Sequence, residues 1–431
     1  MSNPSARDRL EQAFLRIADP KGEGGRACLT VYTEAARAAA DASDARTRCG
    51  ISLGPLDGTI VTVKDLFDVA GEPTRAGSTI FANAAPAKAD APVVRRLRAA
   101  GAVIVAKTNM TEFAFSGVGM NPHYGTPGNP ADRARIPGGS SSGAAVTAAD
   151  RMCDIAIGTD TGGSTRIPAA MCGIVGFKPS QWRVPTEGAF PLSFMLDSIG
   201  PIARSVADCA RADAVMAGGA AAAIEPVPVS GLRLGIPKGF LLTEFDNTVG
   251  TRFGAAKKSL SDAGVRLTDE PMPLFDAMLA INAKGGIAPA EAFAIHRENI
   301  TRRPEAFDPN VRARIERGAK LLAADYVNMA RERARLARAM DAQLRDLDAL
   351  VLPTTPIVAP TIAEMEDTNT FNTKNMLLLR NTNAWNFFDM CAISLPIPGA
   401  GLPVGLMLVA RNGHDRRLFA LAAAVERHFA A

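Results

Sequence analysis

Two glycine–serine clusters carry the residue types best suited to chemistry in this chain. The first, Gly138-Gly139-Ser140-Ser141-Ser142-Gly143, sets three hydroxyls side by side. The second, Gly158-Thr159-Asp160-Thr161-Gly162-Gly163-Ser164-Thr165-Arg166, places Ser164 directly after two glycines. Glycine lets a backbone turn tightly and aim several N–H groups at one point. The run from Ser164 to Ala170 reads as a helix start, which adds partial positive charge at the same place. A hydroxyl beside a cup of N–H donors is what acyl transfer needs: a nucleophile and a seat for an oxyanion. The same clusters also read as plain turns, so the pattern alone leaves both readings open.

A serine nucleophile needs a base, and histidine is the usual one. Of the four histidines, His296 and His428 sit in helical patterns and His414 precedes a helix. His123 lies in a loop near the first cluster, without an evident acidic partner. Gly139-Ser140-Ser141-Ser142-Gly143 formally matches G-x-S-x-G, but that elbow requires a strand immediately before it. Here the preceding Arg133 to Pro137 is a polar loop. There is no H-E-x-x-H, no Walker lysine and no G-x-G-x-x-G. A buried lysine is the remaining type of base, because desolvation leaves it neutral. Lys64 ends the β-branched run Thr59-Ile60-Val61-Thr62-Val63 and is the best-placed candidate. A surface lysine at a strand end is the competing reading.

The elements that would position these groups alternate. Strands are expected at 28–32, 59–64, 102–106, 154–158, 173–177, 232–236 and 347–352, and a hairpin at 392–396 and 404–409. Helices are expected at 5–18, 33–46, 91–100, 203–216, 324–347 and 416–428, the last capped by Asp415. Residues 143–150 form a small-residue helix that Ser142 would cap, and residues 357–375 read as an extended polar loop. Helical patterns dominate from about 248 to 347. The expectation is an α/β fold, an α/β/α sandwich around a large mixed β-sheet with a helical excursion in mid-chain.

Composition narrows the class. Hydrophobic residues make up 47% and charged residues 21%, which suits a globular chain with a large core. The net charge of +4 is spread without a basic block, which argues against nucleic acid as a partner. Six scattered cysteines contain no C-x-x-C pair, so neither a zinc site nor a disulfide framework is expected. No signal peptide or membrane span is visible, and a cytoplasmic setting is expected.

Lys64 in Thr-Val-Lys-Asp, the Pro-Gly-Gly-Ser-Ser cluster and Gly-Thr-Asp-Thr-Gly-Gly-Ser-Thr-Arg-Ile-Pro-Ala-Ala together resemble the amidase signature family. The resemblance continues through Cys172 to Pro179 and Leu196 to Pro201. It returns more loosely at Arg380 to Asn383 and at Leu402 to Val409. It implies a single amidase domain over 1–431, with a core at about 50–215 and 376–431 and a more helical, variable part at about 220–375. It implies a Ser–cisSer–Lys triad: Ser164 as nucleophile, Ser140 as bridging serine and Lys64 as base. The backbone N–H groups of Thr161, Gly162, Gly163 and Ser164 would hold the oxyanion. No metal or organic cofactor is implied.

One departure stands out. The family commonly has Ser-Ser-Gly-Gly, and Ser142 here replaces the first of those glycines, which sets a third hydroxyl near the relay or caps the helix that follows. The substrate pocket is expected to draw on 113–118 and 183–194, with Phe113, Ala114, Phe115, Ser141 and Phe190 as contacts. The phenylalanines read equally well as core. Arg183 or Arg380 could receive a substrate carboxylate, or serve structure. Asp160 and Arg166 are expected to brace the second cluster.

What the resemblance implies is hydrolysis of a small-molecule amide through an acyl-enzyme. The alternatives are a glutaminase-type subunit of an amidotransferase, and the amidase subunit of a biuret-type hydrolase with a small helper subunit. A non-catalytic family member is disfavoured by the intact Lys64, Ser140 and Ser164. A homodimer is compatible with the family.

Overall fold

The computed structural model describes residues 4–430. Residues 1–3 and 431, the ends of the span 1–431, lie outside the described residues.

Among the described residues, eleven strands join into one mixed sheet. They are β1 (Cys28–Val31), β2 (Ile60–Lys64), β3 (Val103–Thr108), β4 (Ile155–Asp160), β5 (Val175–Lys178), β6 (Ser198–Ala203), β7 (Arg233–Pro237), β8 (Arg266–Glu270), β9 (Ala349–Pro353), β10 (Cys391–Pro396) and β11 (Gly405–Ala410). Their spatial order is β1-β3-β2-β4-β6-β5-β10-β11-β9-β7-β8. The β2 strand runs parallel to both β3 and β4, so the chain leaves all three at the same edge of the sheet. That edge carries Lys64, Thr108 and Asp160.

Side chains alternate across the strands with period two and feed two apolar layers. Leu406, Leu408 and Ala410 pack on one face, and Met407 and Val409 on the other. The first face is covered by the helices Pro92–Ala99, Val206–Met216, Asn247–Asp262 and Asp415–Ala430. The second is covered by Ala6–Ala18, Thr33–Arg48 and Ser142–Ala149, then by Ala323–Gln343 and Thr368–Phe387. This is the α/β/α sandwich that the alternation of elements predicts. No helix among the described residues is long and apolar enough to cross a membrane.

Several local expectations change. Residues 357–375 are not one extended loop: a helix begins at Thr368 and continues to Phe387. Its threonines and asparagines are weak helix formers. Asp367 accepts a hydrogen bond from Thr370 N at 2.8 Å, and burial of Leu378, Trp385 and Phe387 overrides the propensity. Asp415 is not a cap. It is buried and takes the backbone N–H and hydroxyl of Ser180, both at 2.7 Å. The strand β6 was hidden in a proline- and glycine-containing stretch, and β8, with its exposed polar residues, has no apolar alternation to read.

The helix Ser142–Ala149 lies close against the sheet because its residues are small. A methyl group on Gly143 would sit 2.5 Å from Ala27 O and 2.7 Å from Asn109 N. Glycine at this position lets the first serine cluster reach the strand ends.

Candidate active site

Lys64 is buried at the end of β2, on the face that the helix Ser142–Ala149 covers. Its Nζ lies 2.7 Å from Ser140 Oγ and 2.8 Å from Thr159 Oγ1. Burial pushes its pKa down to about 7, with Asp197 and Asp160 pulling the other way. An amine that is neutral near pH 7 and touches a serine hydroxyl can take that hydroxyl's proton. The peptide Gly139–Ser140 is cis, and Ser140 O accepts from Thr111 N at 3.1 Å. Ser141 sends its hydroxyl to Thr159 O at 3.3 Å, away from the cavity described below. Ser142 is the first helical residue and caps nothing: its buried hydroxyl has no partner among the described residues.

The second cluster follows β4 as a tight loop. Asp160 is its anchor. Oδ1 accepts from Gly163 N (2.8 Å), Arg166 Nη2 (2.9 Å) and Asn386 Nδ2 (2.9 Å). Oδ2 accepts from Thr165 N (3.1 Å), Thr165 Oγ1 (2.9 Å) and Arg166 Nε (3.0 Å). Burial alone would raise this carboxyl's pKa. Arg166 first, then Lys178 and Asn386, outweigh it and hold the group well below the usual carboxylate range. Asp160 and Arg166 thus brace the loop. Gly163 has φ of +140°, and a methyl there would sit 2.2 Å from Thr382 Oγ1.

The clamp yields a stability prediction. Arg166→Met would leave Asp160 buried without its main counter-charge, and breaking such a pair costs about 3 to 5 kcal/mol. The denaturant midpoint is expected to fall accordingly. A change within about 1 kcal/mol would show that the helix Thr368–Phe387 holds the loop without the ion pair.

The loop leaves Ser164 only 4% exposed, with its hydroxyl unbonded among the described residues, in the wall of a cavity of about 320 Å³. Of the four expected oxyanion donors, the Gly163 N–H is already held by Asp160. The N–H groups of Thr161, Gly162 and Ser164 have no protein acceptor among the described residues, and all three residues line the cavity. Thr161 Oγ1 donates to Asp197 at 2.5 Å, and Asp197 also accepts from Leu192 N and Ser193 N. Burial raises the Asp197 pKa to about 6.

Ala114 and Phe115 line the cavity, as expected. Phe113 and Phe190 do not. They belong to an aromatic cluster with Phe81, His296 and Phe307, with ring centroids of Phe113 and His296 at 4.1 Å. Phe194 is exposed. His123 bonds Glu112 at 2.8 Å, so it does have an acidic partner, and Glu112 in turn braces Ser78 and Asp308 N. The expected carboxylate receptors are engaged elsewhere: Arg183 with Asp213, and Arg380 with Thr243 O and Glu244.

Sequence reasoning missed Thr159, Asp197, Asn375 and Asn386, and it missed Arg314 and Arg317, which line the cavity from the mid-chain excursion. Thr382 and Asn386, four apart on one helix, had a helical spacing that the polar composition masked. Arg314 had no local signal. Among the described residues no group of three or more His, Cys, Asp or Glu side chains could hold a metal ion.

Comparison with known proteins gives the family. A family model for amidases matches residues 10–419. The chain is 37% identical over 402 residues to a 2-amino-5-chloromuconic acid deaminase of Comamonas testosteroni, covering 91% of this chain and 86% of the relative. It is 36% identical over 428 residues to a 1-carboxybiuret hydrolase subunit of Pseudomonas sp. (strain ADP), covering 94% and 91%. A crystal structure of an amidase superposes with a TM-score of 0.88 at 34% identity, covering 99% of this chain and 96% of that one. With the family model spanning nearly the whole chain and these relatives covering most of it, the chain belongs to the amidase family and is an amide-hydrolysing enzyme.

Proposed function

We propose that this amidase cleaves a small-molecule amide through an acyl-enzyme on Ser164. The observation that carries the reading is Lys64 Nζ at 2.7 Å from Ser140 Oγ, in a site whose burial lowers the amine's pKa to about 7, so that a large share is neutral at that pH. Ser164 Oγ attacks the amide carbonyl as its proton passes to Ser140 and the Ser140 proton passes to Lys64. The carbonyl oxygen becomes an oxyanion held by the N–H groups of Thr161, Gly162 and Ser164. One such donor contributes about 3 kcal/mol in comparable sites. Lys64 returns its proton through Ser140 to the leaving nitrogen, the C–N bond breaks, and ammonia or an amine departs. Water then attacks the Ser164 ester by the same relay and releases the acid. Ser164 swings onto Ser140 as the substrate seats, since such bonds tighten in the Michaelis complex. The residues that would contact substrate include Ala114, Phe115, Asn375 and Leu379, which line the cavity with Ser164.

The pH dependence follows from Lys64. Its protonated form cannot accept a proton, so kcat/KM is expected to rise with pH through a limb near 7. A profile flat between about pH 5 and pH 9 would remove Lys64 from the role of base.

A second reading keeps the same chemistry but adds a partner. One relative is named as a subunit of a hydrolase, and exposed Leu279 and Met376 flank the cavity. The test is ammonia release by the purified chain across aryl amides, alkyl amides, half-amides of dicarboxylic acids, biuret-type ureas and glutamine, with Ser164→Ala as the blank. Release that vanishes in the variant supports a self-sufficient hydrolase. Silence across the panel supports the partner reading, and a pull-down would follow. Release that survives in the variant overturns the serine mechanism.

A further inference from the structure

Three arginines are buried among the described residues: Arg166, Arg314 and Arg333. Arg166 meets Asp160 and Arg333 meets Asp389. Arg314 meets no carboxylate. Its Nη1 donates to Phe115 O at 2.7 Å, its Nη2 to Asn372 Oδ1 at 3.4 Å, and its guanidinium lies over the Phe371 ring at 5.2 Å. Its remaining N–H donors have no protein acceptor among the described residues, although it lines the Ser164 cavity. Asp308 attracts it only from beyond ion-pair distance, and less strongly than Arg317 repels it; a guanidinium buried without a paired carboxylate is costly, and a ligand carboxylate would supply that pair.

A second observation points the same way. Arg317, which makes no ion pair among the described residues, also lines the cavity. It sits near enough to Arg314 for the two like charges to repel. No aspartate or glutamate lines this cavity. Its mouth continues through Gly285 and Arg317 into a depression that also holds Lys284, Glu316 and Lys320. Lys284 is paired with Asp325 and Glu316 with Arg312, which leaves Arg317 and Lys320 as unbalanced charges at the entrance. Asn375 adds a donor group: its Oδ1 is occupied by Ser116 Oγ and Gly117 N, leaving its NH2 unbonded in the cavity wall.

We propose that the substrate is an amide bearing a free carboxylate, received by Arg314 and Arg317 while its carbonyl lies at Ser164. The inference rests on the Ser164 reading for the position of the scissile bond. The apolar wall of Leu192, Leu196, Met278, Ile287 and Leu379 takes the carbon chain between the two ends. Because no acidic side chain lines the cavity, an ammonium beside the carboxylate has no counter-charge. The half-amide of a dicarboxylic acid therefore fits better than glutamine.

The test measures binding, so that it does not depend on turnover. Ser164→Ala protein is titrated calorimetrically with malonamate, succinamate, glutaramate and adipamate, each against its neutral diamide, and with glutamine. At least one half-amide is expected to bind about 100-fold tighter than its diamide, and tighter than glutamine. That ratio is expected to fall to about threefold or less when Arg314→Met is added. It is expected to fall about tenfold with Arg317→Met, a change at the exposed mouth that leaves the core untouched. High salt should erode the ratio further. Equal affinity for every half-amide and its diamide would overturn the proposal, as would a ratio unmoved by both arginine variants. Glutamine binding tightest would overturn the half-amide assignment. Ammonia release that persists in Ser164→Ala would instead sink the serine mechanism, so the two failures remain distinct.

Discussion

Ser164→Ala is expected to lower kcat/KM by roughly ten-thousand-fold or more, to the level that oxyanion donors and binding alone supply. The change removes one oxygen and nothing else of consequence. The Ser164 hydroxyl makes no hydrogen bond among the described residues, and its backbone N–H remains in the loop that Asp160 and Arg166 clamp. Stability should therefore stay within about 1 kcal/mol of the unmodified protein, because no buried donor or acceptor is orphaned. Ammonia release on the best amide of the panel, alongside a melting curve, measures both. Retention of more than about one part in a hundred of the activity would assign the attack to another group. Ser140 is the first alternative to test, since its hydroxyl lies against Lys64.

Lys64→Met is expected to cost about a hundred- to ten-thousand-fold in kcat/KM, the range that a positioned base supplies. Lys64→Arg should not rescue it, because a guanidinium keeps its proton at any working pH. Stability separates this loss from misfolding. The unfolded chain holds the lysine proton up to about 10.5, the native chain only to about 7. The native state thus binds fewer protons between those values. Stability linked to this group rises with pH across that window, and its cost is fully present below about 7. Methionine removes the cost but leaves Ser140 and Thr159 without their Nζ partner. We expect the variant to melt no lower than the unmodified protein at pH 6 while being inactive. A collapsed melting temperature would mean that Lys64 holds the strand edge together, and the rate loss would then carry no mechanistic content.

The site was legible in the sequence where neighbouring residues build it. Gly162, Gly163 and Ser164 form one turn. Lys64 ends a β-branched run whose burial could be read from its composition. The parallel order of β2, β3 and β4 was not legible, yet it is what brings Lys64 and the second cluster to one edge. One of the four expected oxyanion donors, the Gly163 N–H, is engaged for a tertiary reason: it donates to Asp160, which Arg166 and Asn386 also hold. Ser142 failed as a cap because the helix starts one residue early, so that its hydroxyl falls inside the packed layer.

By itself the sequence determined the family and the α/β class, and it singled out Lys64, Ser140 and Ser164 as the proposed reacting groups, because these readings depend on short motifs whose residues act together. Which residues line the cavity was decided only by the tertiary structure. Phe113 and Phe190 look like pocket aromatics until His296 and Phe307 are seen to pack against them. Arg314 looks like any helical arginine until the fold buries it in the wall of the cavity that Ser164 also lines, without an ion pair among the described residues. Periodicity and motif spacing report on neighbours along the chain. Whether a charge is paired depends on what the fold brings beside it from distant segments.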